Sequence, residues 1–190
     1  MDFDSTKKIV LEKLYKPDAS RKGDVDEEIA ALIDSINSHK DYYTTSSCAG
    51  RIIILEESKD NIRHEINWLF YTHKKTTQKQ ILTSLAKAGN NLIWFRFESL
   101  ILHICARDLE SAIHLLNKAH KAGFKRAGIT SLSNRIMLEI IGSQRFDAPI
   151  MKDKELLVSE QYIRILVQQA NKKMLENWKR ISTMEQEFKA

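Results

Sequence analysis

The apolar residues in the first part of the chain recur at the spacing of amphipathic helices. Residues 4–15 carry Val10 and Leu14 on one side, and Pro17 ends this first helix. A second stripe at the same spacing consists of Ile29, Leu32, Ile33 and Ile36. The chain is therefore predicted to begin with two helices, each with one buried face.

Beyond residue 42, short runs rich in β-branched and aromatic residues replace the helical pattern. Such runs predict strands over residues 42–48, 51–57, 67–73, 92–98, 100–107 and 135–141. The short link at Ala49 and Gly50 predicts a hairpin between the first two strands. Helical spacing returns over residues 77–87, 108–123 and 159–189, and the last of these helices would be ~45 Å long.

These elements mix helices and strands without strict alternation along the chain. The order predicts an α+β fold, a single domain over residues 1–190 with a mixed β-sheet, packed helices and a long C-terminal helix. The six glycines are too scattered for a GxGxxG turn, and no P-loop is present. The sequence therefore predicts a fold that is not of the Rossmann type.

Composition narrows the class of protein. With 43% hydrophobic and 29% charged residues, the chain has the make-up of a soluble globular protein. No apolar run reaches the ~18 residues of a membrane helix, and the acidic N-terminus lacks a signal-peptide pattern. Cys48 and Cys105 are too few for a disulfide scaffold, so we expect a cytoplasmic location. The net charge of +5 fits either a nucleic-acid-binding surface or an ordinary solvated one.

The most unusual stretch is Thr-Thr-Ser-Ser-Cys-Ala-Gly-Arg at residues 44–51. Small hydroxyl side chains let backbone amides approach a ligand, and the Arg51 guanidinium can grip a carboxylate or a phosphate with two parallel hydrogen bonds. An ordinary polar turn, in which Cys48 fills a small pocket, is the alternative.

Two predicted strands carry polar side chains on one face. Strand alternation puts His103 and Arg107 on the same face of the strand over residues 100–107. In the preceding strand, one face holds Trp94, Arg96 and Glu98. The alternative to a binding role is a half-buried histidine at His103 and a cross-strand ion pair on the strand that carries Arg96 and Glu98.

Alternation also places Trp68 and His73 on opposite faces of their strand. This makes Trp68 most simply a core residue. None of the histidines shows HExxH spacing, and the sequence predicts no metal site.

The chain also carries short motifs in a definite order. They are DxSxKGxxD at 18–26, INS at 36–38, TSSCAGR at 45–51, WLFxTH at 68–73, LHIxAR at 102–107, AxxAGFK at 119–125, RIMLE at 135–139 and YxxxLVxxANxK at 162–173. In this order they resemble the wybutosine-synthesising tRNA methyltransferase family, from about residue 18 to residue 180. Ala49 and Thr72 stand where the family pattern has serine, so a hydroxyl at position 49 is not needed here.

The resemblance implies an S-adenosylmethionine-dependent tRNA methyltransferase. Such enzymes transfer a methyl group from S-adenosylmethionine to N-4 of the tricyclic wyosine-type base, which lies 3′ of the anticodon in phenylalanine tRNA. The short chain resembles the archaeal members. Alignment of donor and acceptor is sufficient for this transfer, so no covalent cysteine step is expected.

Resemblance and strand alternation together predict one cleft around the 46–51 turn. The catalytic candidates, which would take up a proton, are His73 and His103. The predicted donor-binding residues are Ser46, Ser47, Gly50, Arg51, Trp68, Arg96 and Glu98. The predicted tRNA-binding residues at the rim are Lys22, Lys74, Lys75, Arg107, Lys125 and Arg126.

Two functions of other classes stay open from the sequence. One is a non-catalytic tRNA-binding protein of the tRNA-modification pathway, in which the Ser/Arg turn binds a phosphate. The other is a nuclease or hydrolase that uses His73, His103 and Glu98. Binding of S-adenosylmethionine, measured by calorimetry, separates them from the methyltransferase.

Overall fold

The structure, a computed structural model, describes residues 2–14, 25–58 and 67–189. The chain separates into two compact units, each assembled from segments that are distant in the sequence. The first unit consists of residues 1–49, 100–143 and 177–190, and the second of residues 50–99 and 144–176. That the two units form one domain stays a prediction.

The described residues form helices and strands in mixed order. The helices are α1 (Phe3–Leu14), α2 (Glu27–Ser38), α3 (Gln78–Leu85), α4 (Leu109–Lys121) and α5 (Glu160–Lys189). The strands are β1 (Tyr42–Cys48), β2 (Arg51–Glu56), β3 (Asn67–Thr72), β4 (Ile93–Glu98), β5 (Ile101–Ala106), β6 (Gly128–Ser131), β7 (Ile136–Ile141), β8 (Arg145–Lys152) and β9 (Glu155–Leu156).

The first unit is built on a four-stranded sheet in the order β1-β5-β7-β6, in which all neighbours are antiparallel. Its core joins apolar side chains of the sheet to those of α2, α4 and the last turns of α5. The predicted stripe of α2 is fully buried in this core. Burying one such side chain contributes about 1.5–3 kcal/mol, so the stripe holds α2 in place.

The second unit contains a five-stranded antiparallel sheet in the order β3-β2-β4-β8-β9. Burial alternates along β4, where Phe95 and Phe97 are fully buried and Trp94, Arg96 and Glu98 are half-buried. Helix α3 begins with a capping box formed by Thr77 and Gln80. Asn171 of α5 binds both the backbone N–H and the carbonyl of Thr76, at 2.9 and 2.8 Å.

The predicted α+β class and the long C-terminal helix are confirmed. All strand pairs in the described residues are antiparallel, so these residues contain no Rossmann-type parallel sheet. The prediction of one mixed sheet differs from the structure, which has two antiparallel sheets. Strands β6, β8 and β9 carry weak patterns, and sequence analysis missed them.

The predicted hairpin between the first two strands is wrong. Strand β1 pairs with β5, whereas β2 pairs with β3 and β4 in the other sheet. The backbone of Ala49 explains the difference: its N–H donates to Asp26 and its carbonyl accepts from Asn177. These two hydrogen bonds fix the Ala49 backbone where the chain leaves β1.

Within the described residues, no helix combines the length and the apolar character needed to cross a membrane.

Candidate functional site

Side chains from other elements fix the 44–51 segment at both ends within the first unit. The buried Thr44 receives a hydrogen bond on its hydroxyl from the Asn37 amide and donates its backbone N–H to the Asn37 carbonyl oxygen, at 3.0 and 2.8 Å. At the other end, Asp26 accepts the Ala49 N–H at 2.6 Å, and Asn177 donates to the Ala49 carbonyl at 2.6 Å. Side-chain hydrogen bonds therefore hold the backbone of residues 44 and 49.

A β-bulge in β1 brings Ser46 opposite His103. The register shifts between Thr44 and Ser46, and the Ser46 hydroxyl lies 2.9 Å from His103 Nδ1. On the other side of the ring, His103 Nε2 lies 3.0 Å from the Glu139 carboxylate. Because a carboxylate only accepts, Nε2 donates to Glu139, and the Ser46 hydroxyl is the partner of Nδ1.

Sequence analysis missed Glu139 as a partner of His103. It lies in β7, directly opposite His103 in the antiparallel ladder. The signal for it was an acidic residue inside an otherwise apolar strand, because such a residue needs a polar partner. Ser47, the other predicted serine, pairs with Leu102 in the same sheet and is half-buried.

Arg51 is held in the second unit by an ion pair and an aromatic ring. Its Nε donates to Glu98 at 2.8 Å, and its guanidinium lies 4.6 Å from the centre of the Trp68 ring. Next to it, Gly50 has a φ of 98°, a conformation that a side chain would disfavour. The Gly50 carbonyl accepts from His73 Nδ1 at 2.9 Å.

Ion pairs cross the same sheet in an alternating row. Arg96 donates to both oxygens of Asp147, at 2.7 and 3.3 Å, and lies 3.7 Å from Glu98. Arg145 continues the row with a 3.2 Å contact to Asp147. The contacts of Arg96 and Glu98 therefore include the cross-strand ion pairs that sequence analysis kept as the alternative, and their role toward a donor stays a prediction.

The expectation that Trp68 lies in the core, on the opposite face to His73, is wrong. The pairing with β2 shifts between Ile54 and Leu55, so that an extra residue follows Trp68 in β3. This bulge breaks the alternation on which the expectation rested. Trp68 is 43% exposed, and its ring meets that of Tyr71 at 5.5 Å, while Tyr71 meets His73 at 6.3 Å.

The predicted tRNA-binding residues have different surroundings. Lys22 lies outside the described residues, whereas Lys74, Lys75 and Arg126 are exposed. Lys125 donates to the carbonyl of His120 at 3.1 Å and borders an open depression of about 500 Å³. The other residues lining this depression are His114, Asn117, Lys118, His120 and Lys121.

Arg107 is committed to contacts within the first unit. It donates to Asp4 at 2.5 and 3.1 Å and to Asp41 at 3.0 Å, and it lies 4.5 Å from the Phe3 ring centre. The hydrogen bonds from Arg107 lower the pKa of the Asp4 carboxyl and raise that of the guanidinium. A phosphate would have to compete with two carboxylates for this side chain, so its role toward tRNA stays a prediction.

The two cysteines lie in different surroundings. Cys105 is 1% exposed, and burial raises the pKa of its thiol. Thiolate character, which a nucleophilic cysteine requires, is therefore disfavoured at Cys105. Cys48 is half-buried at the end of β1.

Comparison with known proteins identifies the class of enzyme. The family model described as "Methyltransferase TYW3" matches residues 5–190. The chain belongs to this methyltransferase family, as the order of its motifs predicted.

Relatives match over almost the whole chain. A Thermococcus sibiricus protein named tRNA(Phe) 7-((3-amino-3-carboxypropyl)-4-demethylwyosine(37)-N(4))-methyltransferase is 37% identical over 98% of this chain and 94% of its own. The tRNA wybutosine-synthesizing protein 3 homolog of Xenopus laevis is 39% identical over 88% of this chain and 68% of its own. A solved structure of the PH1069 protein from Pyrococcus horikoshii has a TM-score of 0.91 at 34% identity, covering 98% and 96% of the two chains.

Proposed function

We propose that this protein methylates N-4 of the tricyclic wyosine-type precursor base 3′ of the anticodon in phenylalanine tRNA, with S-adenosylmethionine as the donor. The observation that carries the proposal is the match over almost the full length of both chains to relatives whose names state this reaction, such as the Thermococcus protein. We expect the reaction to take place in the cytoplasm, where tRNA is modified.

The residues around Arg51 fit an S-adenosylmethionine site. The Arg51 fork offers donors beyond the Nε that binds Glu98, which suit the carboxylate of the methionine part. The Trp68 ring already attracts one cation, the Arg51 guanidinium, and its face suits a sulfonium. The other residues proposed to bind the donor are Ser46, Ser47, Gly50, Arg96 and Glu98.

The donor, when bound, supplies an activated methyl group, and this chain's residues position the acceptor and remove its proton. The methyl carbon forms a bond to N-4 as its bond to sulfur breaks, and the N-4 proton leaves. His73 or His103 takes up that proton. At His103, the 3.0 Å contact between Nε2 and the Glu139 carboxylate orients the ring.

The tRNA is proposed to meet basic side chains that neutralise its phosphates. These are Lys22, Lys74, Lys75, Arg107, Lys125 and Arg126. A non-catalytic tRNA-binding protein has weaker support, because the family match is to a methyltransferase over residues 5–190.

The test is a single-turnover assay with tRNA that carries the 4-demethyl tricyclic base and methyl-labelled S-adenosylmethionine. Mass spectrometry of the modified base should show one labelled methyl group at N-4. Cys48→Ser should keep most of this activity, because the transfer needs no thiolate. A folded Cys48→Ser variant that binds the donor but transfers no methyl group would overturn direct transfer. Absence of labelling by the wild-type protein would contradict the proposed function itself.

A further inference from the structure

The outer edge of the second unit's sheet carries two neighbouring exposed rings, Trp68 and Tyr71, and of these the proposed donor site uses only Trp68. Trp68 is 43% exposed and Tyr71 is 58% exposed, and their ring centres lie 5.5 Å apart with the planes at 63°. Both rings project from β3, which forms one edge of the sheet. Single exposed apolar side chains are normal on a protein surface, whereas neighbouring ones that form a patch indicate a binding surface.

Register shows why the two rings lie on one face. Tyr71 pairs with Ile53, and after the bulge Trp68 pairs with Leu55. Both rings therefore lie on the face of the sheet to which Ile53, Leu55 and Arg51 of β2 belong. On the neighbouring strand β4, the residues paired with these three are Glu98, Arg96 and Trp94, which lie on the same face. Aromatic and arginine side chains therefore interleave across this face of the sheet.

The charge of the surface favours an anionic partner. The described cationic side chains on this face and at the adjoining end of β3 are Arg51, Arg96, Arg145, Lys74 and Lys75. The anionic ones are Glu57, which accepts from the Trp94 indole, together with Glu98 and Asp147. Five positive charges against three negative ones leave a surplus of two, with Lys74 and Lys75 exposed to meet phosphates.

We propose that this face binds unpaired RNA, with one base stacked on the Tyr71 ring beside Trp68. Exposed rings interleaved with basic side chains on a sheet are suited to bases that have left a duplex, because each base offers a π-face. The occupant is the anticodon loop of the substrate tRNA, so this inference rests on the proposed function. Trp68 contacts both Arg51 and Tyr71, which would bring a base stacked there next to the proposed donor site.

The experiment measures binding of a synthetic phenylalanine anticodon stem-loop to the full chain, with a fully paired RNA duplex of the same length for comparison. Tyr71→Ala should weaken stem-loop binding roughly five- to hundredfold, the loss typical of one stacked base. Tyr71→Phe should stay within about twofold of the wild type, because it keeps the ring. The matched control is Tyr162→Ala in α5 of the same unit, a tyrosine that is 43% exposed and should bind as the wild type does.

The outcomes that overturn the inference are distinct. They are an unchanged affinity of Tyr71→Ala, an equal loss in Tyr71→Phe, an equal loss in Tyr162→Ala, or equal binding of the duplex. A wild-type dimer that Tyr71→Ala dissociates, seen by light scattering, would show that the face serves a second copy, and it would also overturn the inference.

A second measurement uses the wild-type protein, in case Tyr71→Ala does not fold. A stem-loop with 5-iodouridine in the loop should cross-link to Tyr71 or Trp68 on irradiation, and cross-links only to other residues would contradict the proposal. Calorimetry with S-adenosylmethionine should give the same affinity for Tyr71→Ala and the wild type. If the wild type transfers methyl groups but Tyr71 proves irrelevant, only this inference fails. If the wild type neither binds the donor nor transfers a methyl group, the proposed function fails.

Discussion

Arg51 combines three interactions that determine what its substitution would do. It bonds to Glu98, stacks on Trp68 and, in the proposed function, grips the donor's carboxylate. Arg51→Ala should weaken S-adenosylmethionine binding by the worth of a charge-assisted hydrogen bond, roughly 1.5–3 kcal/mol or ten- to more than a hundredfold. Arg51→Lys should recover only part of this loss, since an ammonium cannot form the bidentate contact.

Calorimetry of the purified variants measures this effect. The matched control is Arg145→Ala, which removes an arginine of the same sheet that pairs with Asp147 but is not in the proposed donor site. If Arg51→Ala leaves the affinity for S-adenosylmethionine unchanged, another residue binds the carboxylate of the donor.

At the residue scale, the sequence allowed us to predict which side chains could act in binding or catalysis, but not which residues they contact. The 44–51 segment stands out in the sequence by its hydroxyls, glycine and arginine. The Glu139 partner of His103 is 36 residues away, and only the pairing of β5 with β7 brings the two together. The exposure of Trp68 depends on a bulge in β3, and the sequence there contains no glycine or proline that would have predicted it.

Asn177 is the side chain by which α5 organises the backbone of the first unit. It is 3% exposed, donates to the Ala49 carbonyl and accepts the Leu100 N–H at 3.0 Å. Asn177→Ala would leave both backbone groups without this partner and should cost about 1–3 kcal/mol of unfolding free energy. The better helix propensity of alanine, worth several tenths of a kcal/mol, offsets a small part.

Urea denaturation followed by circular dichroism gives the change in unfolding free energy. Gln169→Ala, an exposed polar residue of the same helix, is the control and should have almost no effect. Equal stability of the Asn177→Ala and Gln169→Ala variants would show that the buried amide is not a structural anchor.

Helix α1 is attached by an ion pair whose strength depends on pH. Arg107 lowers the pKa of the Asp4 carboxyl from its ordinary value of 3.8. A folded-state pKa below the unfolded one means that Asp4 stabilises the fold above about pH 4, and that this stabilisation is lost as the pH falls through the folded value. Asp4→Asn should therefore lower the melting temperature at pH 7 and have progressively less effect below pH 4.

Melting curves of the wild type and Asp4→Asn between pH 2 and pH 7 test this dependence. Arg107→Gln and Asp4→Asn/Arg107→Gln provide the comparison, because without Arg107 the cause of the lowered Asp4 pKa is gone and the Asp4→Asn change should lose most of its pH dependence. A difference between wild type and Asp4→Asn that is constant across this range would contradict the assignment.

At the element scale, sequence periodicity identified the helices best. The α2 stripe was predicted residue by residue, because its four isoleucine and leucine positions face one core. Strand pairing was the part that the sequence did not reveal. The link at Ala49 and Gly50 is short enough for a hairpin, yet β1 and β2 pair in different sheets, and Asp26 and Asn177 bind the Ala49 backbone at the link.

At the scale of the whole molecule, the net charge of +5 becomes a prediction about tRNA binding. Each lysine that neutralises a phosphate releases about one counterion, so its removal lowers the salt slope of binding by roughly 0.7–0.9. Lys74→Ala, Lys75→Ala, Lys125→Ala and Arg126→Ala should each weaken binding of all tRNAs alike, because phosphate contacts carry no sequence information.

Arg107 provides the internal comparison for this last prediction. Its guanidinium is already neutralised by Asp4 and Asp41, so a phosphate gains less from it than from an exposed lysine. Arg107→Ala should therefore change the salt slope less than Lys75→Ala does, while it lowers the melting temperature more. Filter binding of tRNA at several salt concentrations, with melting curves of the same preparations, measures both quantities. The contrary result would be a salt slope that Arg107→Ala lowers by about one counterion, together with an unchanged melting temperature. It would mean that Arg107 leaves Asp4 and Asp41 and binds a phosphate when tRNA binds.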